Sequence, residues 1–322
     1  MRGSRFTSVL AVCGTLALGA TACGGGGEEP AGSGQAEQQT SQELSGSIQI
    51  DGSSTVQPFA EAAAELFGEE APEVQIQVGG AGTGDGFERF CAGETQIANA
   101  SRPIEDDERQ SCRQNDIRPV EVQVANDGIA VVTNPELQVD CLTTAQLKRL
   151  LRPNSRVTNL SQLGGGLPDR DVSFFTPGAE SGTFDFFTEK VLETDGEQRQ
   201  QGVQTSANDN QLITGVSGTQ GALGYVGFSY AQEQQGKLNL AAVNGGDGCV
   251  RPSLETIQDG SYAPLARPLY MYPSQQAMQR PEVRAFMRFV AENQQAIAEA
   301  AKVVPMTAEQ AQAAQSKLGQ AG

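Results

Sequence analysis

At 322 residues the chain is longer than one ordinary domain, and 38% hydrophobic against 19% charged residues describes a globular protein for which two lobes are expected. A net charge of −17 argues against a general nucleic-acid or anionic-membrane surface, because a phosphate backbone needs a basic stripe, though it leaves room for one small anion held by local dipoles. The absence of histidine excludes Ser-His-Asp and Cys-His catalysis and removes the commonest zinc ligand, and no acidic loop has EF-hand spacing.

The chain opens with Arg2 and Arg5, then the uncharged run F-T-S-V-L-A-V-C-G-T-L-A-L-G-A-T-A-C, which has the layout of a secretory signal over residues 1–22. The ending A-T-A-C is similar to a bacterial lipoprotein cleavage box, with Ala20 where Leu is usual, so Cys23 is the expected lipidation site. A plain secreted protein cut near Ala22 is the alternative. Residues 23–46 are Cys23 followed by G-G-G-G-E-E-P-A-G-S-G-Q-A-E-Q-Q-T-S-Q-E-L-S-G, a low-complexity leash whose coil dimension would be roughly 25–30 Å. Removing residues 1–22 takes away two arginines and makes the chain more acidic still.

Beyond the leash, S-I-Q-I (47–50) reads as a strand that enters D-G-S-S-T-V-Q-P-F. Phe59, Ala62, Ala63, Leu66 and Phe67 then fall on one helical face, with Ser54 or Thr55 as expected N-cap and Pro58 in the first turn. V-Q-I-Q-V (74–78) alternates as a strand and leads through G-G-A-G-T-G-D-G-F to a helix carrying Phe87, Phe90 and Cys91. I-A-N-A-S (97–101) is a third strand. Residues 120–135 form a long β-type segment that Asn126-Asp127-Gly128 is expected to break. Helix T-T-A-Q-L-K-R-L-L, strand V-S-F-F-T (172–176), a helix bearing Phe184, Phe187 and Val191, helix 208–216 and strand 222–226 follow. R-P-L-Y-M-Y (267–272) is a β-prone candidate for a return crossing, and Val283, Phe286, Met287 and Val290 mark an amphipathic helix. Alternating strands and helices indicate the α/β class.

One device occurs three times, at residues 47–59, 74–90 and 172–187: a strand, a small-residue turn and a helix start. Each turn offers unpaired amides, the positive end of a helix dipole and a Ser or Thr hydroxyl. Such caps are common for structural reasons alone. Three of them in one chain point to an anion held between two lobes.

The strings D-G-S-S-T-V-Q-P-F, G-T-G-D-G-F-E-R-F-C-A-G-E-T-Q-I-A-N-A-S-R-P-I, P-G-A-E-S-G-T-F-D-F-F, A-N-D-N-Q-L-I-T-G-V and G-A-L-G-Y-V-G-F-S-Y closely resemble, in the same order, the phosphate-binding lipoproteins of bacterial ABC importers, the PstS type. The resemblance runs from about residue 46 to 273. It implies a two-lobed type II periplasmic-binding-protein fold with a hinge of two crossover strands, inorganic phosphate enclosed between the lobes, and no enzymatic chemistry or cofactor. Lobe I would comprise residues 47–125 and 267–322, and lobe II residues 126–266. A monomer is expected, tethered outside the cytoplasm by a lipid anchor and delivering phosphate to membrane permease subunits.

Carried over by position, Thr55 and Val56 fall on the first phosphate-facing turn, with Ser54 beside them. Thr83 falls on the second turn, and Ser181, Gly182 and Thr183 on a Ser-Gly-Thr turn where Ser181 is expected to donate to the ligand. Ser101 and Asn210 are further candidates, with Asn210 and Asp127 equally readable as cap and turn residues. Two positions depart from the family's pattern. Arg102 follows Ser101 where some members have Asp before Ala-Pro, and Pro177 stands where those members have Arg. Arg102 is therefore expected to supply the pocket's positive charge, with a salt bridge to Glu105 or Asp106 as the plainer reading, and the acceptor for a phosphate proton is unassigned.

A clamshell needs its lobes free to move. Of three possible pairings of the four cysteines beyond Cys23, Cys91–Cys112 and Cys141–Cys249 keep each bridge inside one lobe. Competing readings are a binding protein for sulfate or another oxyanion, an envelope protein that has lost its ligand, and a hydrolase with Ser181 as nucleophile. The last finds no support, because none of Lys148, Lys190, Lys237, Lys302 and Lys317 lies in a recognisable Ser-x-x-Lys arrangement.

Overall fold

The structure, a computed structural model, describes residues 44–321 apart from Asp195; the signal, Cys23 and nearly all of the leash lie outside the described residues. Strand β1 (Gly46–Gly52) leads into helix α1 (Gln57–Glu70), β2 (Val74–Val78) into α2 (Thr83–Cys91), and β3 (Ile97–Ala100) into α3 (Asp106–Gln114). β4 (Val122–Thr133) and β5 (Cys141–Thr143) precede α4 (Thr144–Leu151). β6 (Ser173–Thr176) precedes α5 (Gly182–Phe187), which ends in a single π turn, Thr188–Leu192. Then come β7 (Val203–Thr205), α6 (Asp209–Gly218), β8 (Ala222–Gly227), α7 (Phe228–Glu233), β9 (Asn239–Leu240), β10 (Ala242–Asn244), β11 (Cys249–Val250) and α8 (Leu254–Gln258). β12 (Ala266–Pro273), α9 (Pro281–Glu292), α10 (Gln294–Ala300) and α11 (Ala308–Ala321) complete the chain. The α/β expectation holds.

The strands follow one path, β2-β1-β3-β12-β4-β8-β6-β7, with β9 also on β4, and a small sheet β11-β10-β5 stands apart. Parallel pairs lie at both ends of the path, while β12 and β4 pair antiparallel in its middle. β4 serves both sides. Val122–Gly128 face β12, and Ile129–Thr133 face β8. Apolar side chains collect on the two sides of this changeover. Ile48, Phe59, Phe67, Met271 and Phe286 belong to one core, and Ile129, Phe174, Phe187, Tyr225 and Tyr262 to another. At roughly 1.5–3 kcal/mol for each fully buried large apolar side chain, each core is large enough to organise its own surroundings.

The expected break at Asn126-Asp127-Gly128 is absent, because each residue finds a tertiary partner within the strand. Asn126 pairs through its backbone with Val304, Asp127 takes an ion pair from Arg267, and Gly128 leaves room for Ile257, whose Cδ1 lies 2.5 Å from where a Cβ would stand. Turn-prone residues were overridden by their neighbours. The α1 cap also differs from expectation. Val56 occupies the N-cap with no side-chain cap bond, and the hydroxyls of Ser54 and Thr55 reach elsewhere. Both expected disulfides are present: Cys91–Cys112 joins α2 to α3, and Cys141–Cys249 joins β5 to β11.

Candidate functional site

The three strand–turn–helix units exist as β1–α1, β2–α2 and β6–α5. The first two meet one wall of a cavity of about 380 Å³, and α5 of the third, with the turn that continues it, forms the facing wall. On one wall lie Ser53, Ser54, Thr55, Gly82, Thr83, Gly84, Ser101 and Arg102; opposite are Asp185, Phe186, Glu189 and Lys190, with Arg267 between. Asp51 braces the first wall. Its Oδ1 accepts from the amides of Gly52 (2.8 Å) and Ala81 (3.1 Å), and its Oδ2 from Arg89 Nη1, so the turns before α1 and α2 are tied to one carboxylate. Thr83 Oγ1 lies 3.2 Å from Ser101 Oγ and accepts the Ser101 amide at 3.3 Å, joining α2 to the end of β3.

Arg267 opens β12 and is 8% exposed. Its Nε donates to Asp127 Oδ2 at 3.2 Å, its Nη2 to Thr55 Oγ1 at 2.6 Å and Gly182 O at 3.3 Å, and its Cζ lies 3.6 Å from the centre of the Phe186 ring. Among the described residues Nη1 has no hydrogen-bond partner. Burial lowers the Arg267 pKa below the ordinary arginine value while Asp127 opposes the shift, and a guanidinium in this setting stays charged. Gly182 lets the two walls touch, because a Cβ there would lie 2.5 Å from Thr55 Oγ1.

Arg102 borders the same cavity in a different condition. Nη1 and Nη2 donate to the two oxygens of Glu108 at 2.9 and 2.8 Å, and Nε lies 3.3 Å from Glu105 Oε1, so its whole fork is engaged. Hydrogen bonding to Glu108 raises the Arg102 pKa. Across the cavity, Ser54 Oγ donates to Asp185 Oδ2 at 3.1 Å. Partial loss of water in the cleft raises the Asp185 pKa above the usual carboxylate value, although the side chain stays open to the cavity. The other two lining carboxylates are matched: Glu105 contacts Arg102 and Glu189 contacts Lys190. Only Asp185 faces the cavity with a hydroxyl as its sole hydrogen-bond partner among the described residues.

Of the candidates read from sequence, Ser54, Thr55, Thr83, Ser101 and Arg102 line the cavity. Val56 is fully buried in the core beneath it. Ser181 Oγ caps its own helix by accepting the Thr183 amide at 3.2 Å, which leaves its O–H able to donate, and neither Ser181 nor Thr183 is among the lining residues. Gly182 contributes its carbonyl, to Arg267 and Thr55. Asn210 is exposed in the first turn of α6 and is not among the lining residues. Asp127 stands behind Arg267 rather than in the cavity. Sequence reasoning missed Arg267 and Asp185. The available signal was a charged residue, followed by Pro, opening an otherwise apolar strand.

A PBP superfamily domain model matches residues 37–294. Protein SphX of Synechococcus elongatus is 40% identical over 81% of this chain and 78% of its own length. The phosphate-binding protein PstS of Staphylococcus saprophyticus is 34% identical over 95% of this chain and 92% of its own. The chain belongs to the PBP superfamily and to its PstS family. A solved structure, described as a possible phosphate binding protein from Planctomyces limnophilus, superposes with a TM-score of 0.82 at 38% identity, covering 86% of this chain and 99% of that one. The fold is accordingly of the type II periplasmic-binding class expected from the resemblance. Among the described residues no helix is long and apolar enough to cross a membrane.

Proposed function

We propose that the chain is a non-enzymatic capture protein for inorganic phosphate, serving an ABC importer from outside the cytoplasm. One observation carries the reading: a buried arginine, fixed by Asp127 and Phe186 and with Nη1 unpartnered among the described residues, lines a cavity ringed by helix-start amides and hydroxyls. Such a group gives a charge-assisted bond to an oxyanion without having to be ordered first. The family's phosphate-binding members support the choice of ligand. We further assign Asp185 as the proton acceptor. A carboxylate that makes no salt bridge among the described residues repels an oxyanion that has no proton and accepts a hydrogen bond from one that has, which favours phosphate over sulfate.

The two cores move as lobes about β4 and β12 in this proposal, and the leash ends at a lipidated Cys23 that holds the protein near its permease. Titration calorimetry of the intact protein with phosphate and with sulfate, each at two pH values, tests the reading. One phosphate per chain with weak or absent sulfate binding is expected at neutral pH. Saturable sulfate binding without a phosphate response would overturn it.

A further inference from the structure

The two faces of the crossing strand β4 do different things. Successive side chains of a strand point to opposite faces, so Asp127 meets Arg267 on the cavity face while its neighbour Asn126 is turned to the back. There the segment between α10 and α11 forms a third connection. Val304 exchanges both backbone hydrogen bonds with Asn126, at 2.8 and 2.9 Å, and its side chain is buried in the core of Ile129 and Tyr262. Val303 and Met306, on either side, pack in the core of Phe59 and Phe286. Lys302 also reaches across, to Glu233 of α7 at 2.5 Å. One short segment is thus planted in both cores.

Amides complete the contact. Gln310, in the first turn of α11, donates to Gln258 O at 3.0 Å and accepts from Asn126 Nδ2 at 3.1 Å, and Gln258 Nε2 donates to Pro305 O at 2.9 Å. Beside this cluster α8 and α11 stand apart, leaving an open groove of about 700 Å³ lined by Gln123, Leu254, Gln258, Thr307, Gln310 and Ala313. A second back cavity, against α7 and Lys302, shares Leu254. Leu254, at 41%, is the exposed large hydrophobic residue among the described residues. It therefore lies between two hollows that a hinge motion would narrow, since opening a clamshell at the front draws its back together.

We propose that the back of the hinge is a balance that sets how far open the empty protein stands. The Asn126–Gln310–Gln258 amide cluster holds the geometry seen in the structure, in which Ser54 and Thr55 already touch the opposite wall. Leu254 opposes it, because the apolar surface it exposes here is covered when the front opens and the back closes. The ligand's apparent affinity then depends on residues remote from the cavity, through the fraction of molecules in the binding-competent state. This proposal rests on the lobe motion given under Proposed function, but its primary readout requires no ligand.

The test is energy transfer between dyes attached through unnatural amino acids at the exposed positions Glu94 and Gln201, one on each side of the crossing, with both disulfides left intact. Gln310→Glu retains a side-chain acceptor for the Thr307 amide at the start of α11 but replaces the donor to Gln258 O by a carboxylate. Leu254→Gln removes the exposed apolar surface. Without anion, Gln310→Glu is expected to lower transfer and Leu254→Gln to raise it, with both variants melting within a few degrees of the parent. The apparent Kd for inorganic phosphate should then rise and fall, respectively, by about 3- to 10-fold. Unchanged transfer in both folded variants, or a shift in the same direction, overturns the balance. Opposite shifts without any phosphate binding would uphold it and instead defeat the phosphate reading.

Discussion

Two arginines border one cavity, and their surroundings assign them different work. Arg102 follows β3 in a loop that turns into α3, where Glu108 of the helix capping box binds both ends of its guanidinium. Arg267 sits in the central strand pair, where Asp127 holds only Nε and Phe186 lies against its face. The first is neutralised by a carboxylate that takes up its fork. The second is anchored from behind, and Nη1 of its fork has no hydrogen-bond partner among the described residues. Each guanidinium carries the same single positive charge. What differs is which donors are already spent, and only free donors bind an anion.

The sharpest way to break this comparison is to remove each arginine in turn. Arg267→Ala should weaken phosphate binding roughly 100-fold or more, on the order of 3 kcal/mol for a charge-assisted contact. Because Asp127 would be stranded, the same change combined with Asp127→Asn serves as control, and calorimetry on both reads the ligand effect. Parent-like affinity in the double variant would remove Arg267 from the site. Next in size is Asp185→Asn. Without the repelling carboxylate, sulfate affinity should rise by about 10-fold or more while phosphate weakens, which competition titration would measure.

The wild-type protein offers a pH version of the same experiment. Asp185 has a raised pKa, so as pH falls through it the carboxyl becomes protonated and can donate, and sulfate should begin to compete. The Asn variant should lose that pH dependence. For stability the sign is also fixed: a raised folded pKa favours the protonated native state, so the Asp185 contribution strengthens as pH falls and is lost as pH rises through the folded value. Arg102→Ala is expected to cost less than about 3-fold in phosphate affinity at matched salt, and roughly 1 kcal/mol of stability through the lost Glu108 pair, read by thermal melting. A larger binding loss would restore Arg102 as the pocket charge. Smallest is Ser181→Ala, expected to lower stability by about 1 kcal/mol through its lost cap with little change in affinity.

Much of the fold was legible without the structure, for local reasons. Val283, Phe286, Met287 and Val290 repeat at helical spacing, and all are buried on α9. V-Q-I-Q-V alternates and is β2 over the residues read from it. Ser54, Thr55, Thr83 and Ser101 were reached through the resemblance to the PstS family, whose motifs here occupy small-residue turns at the ends of strands. The misreadings share another cause. Asn126-Asp127-Gly128 has turn chemistry, yet Val304, Arg267 and Ile257 hold it as strand. The N-cap of α1 was read at Ser54 or Thr55 and falls on Val56, because both hydroxyls reach across to the opposite wall.

The sequence by itself determined the order of the main strands and helices, the small-residue turn before each helix that borders the cavity, and the disulfide pairs once two lobes were assumed. Those features depend on periodicity, turn chemistry and chain order, which are written along the backbone. Tertiary structure alone decided which arginine is free. Arg102 and Glu108 lie six residues apart, but Arg267 meets Thr55 and Asp127 across separations of 212 and 140 residues, and donor saturation depends on those meetings rather than on residue type. It likewise decided that Asn126 and Asp127, neighbours in the chain, serve opposite faces of one hinge strand.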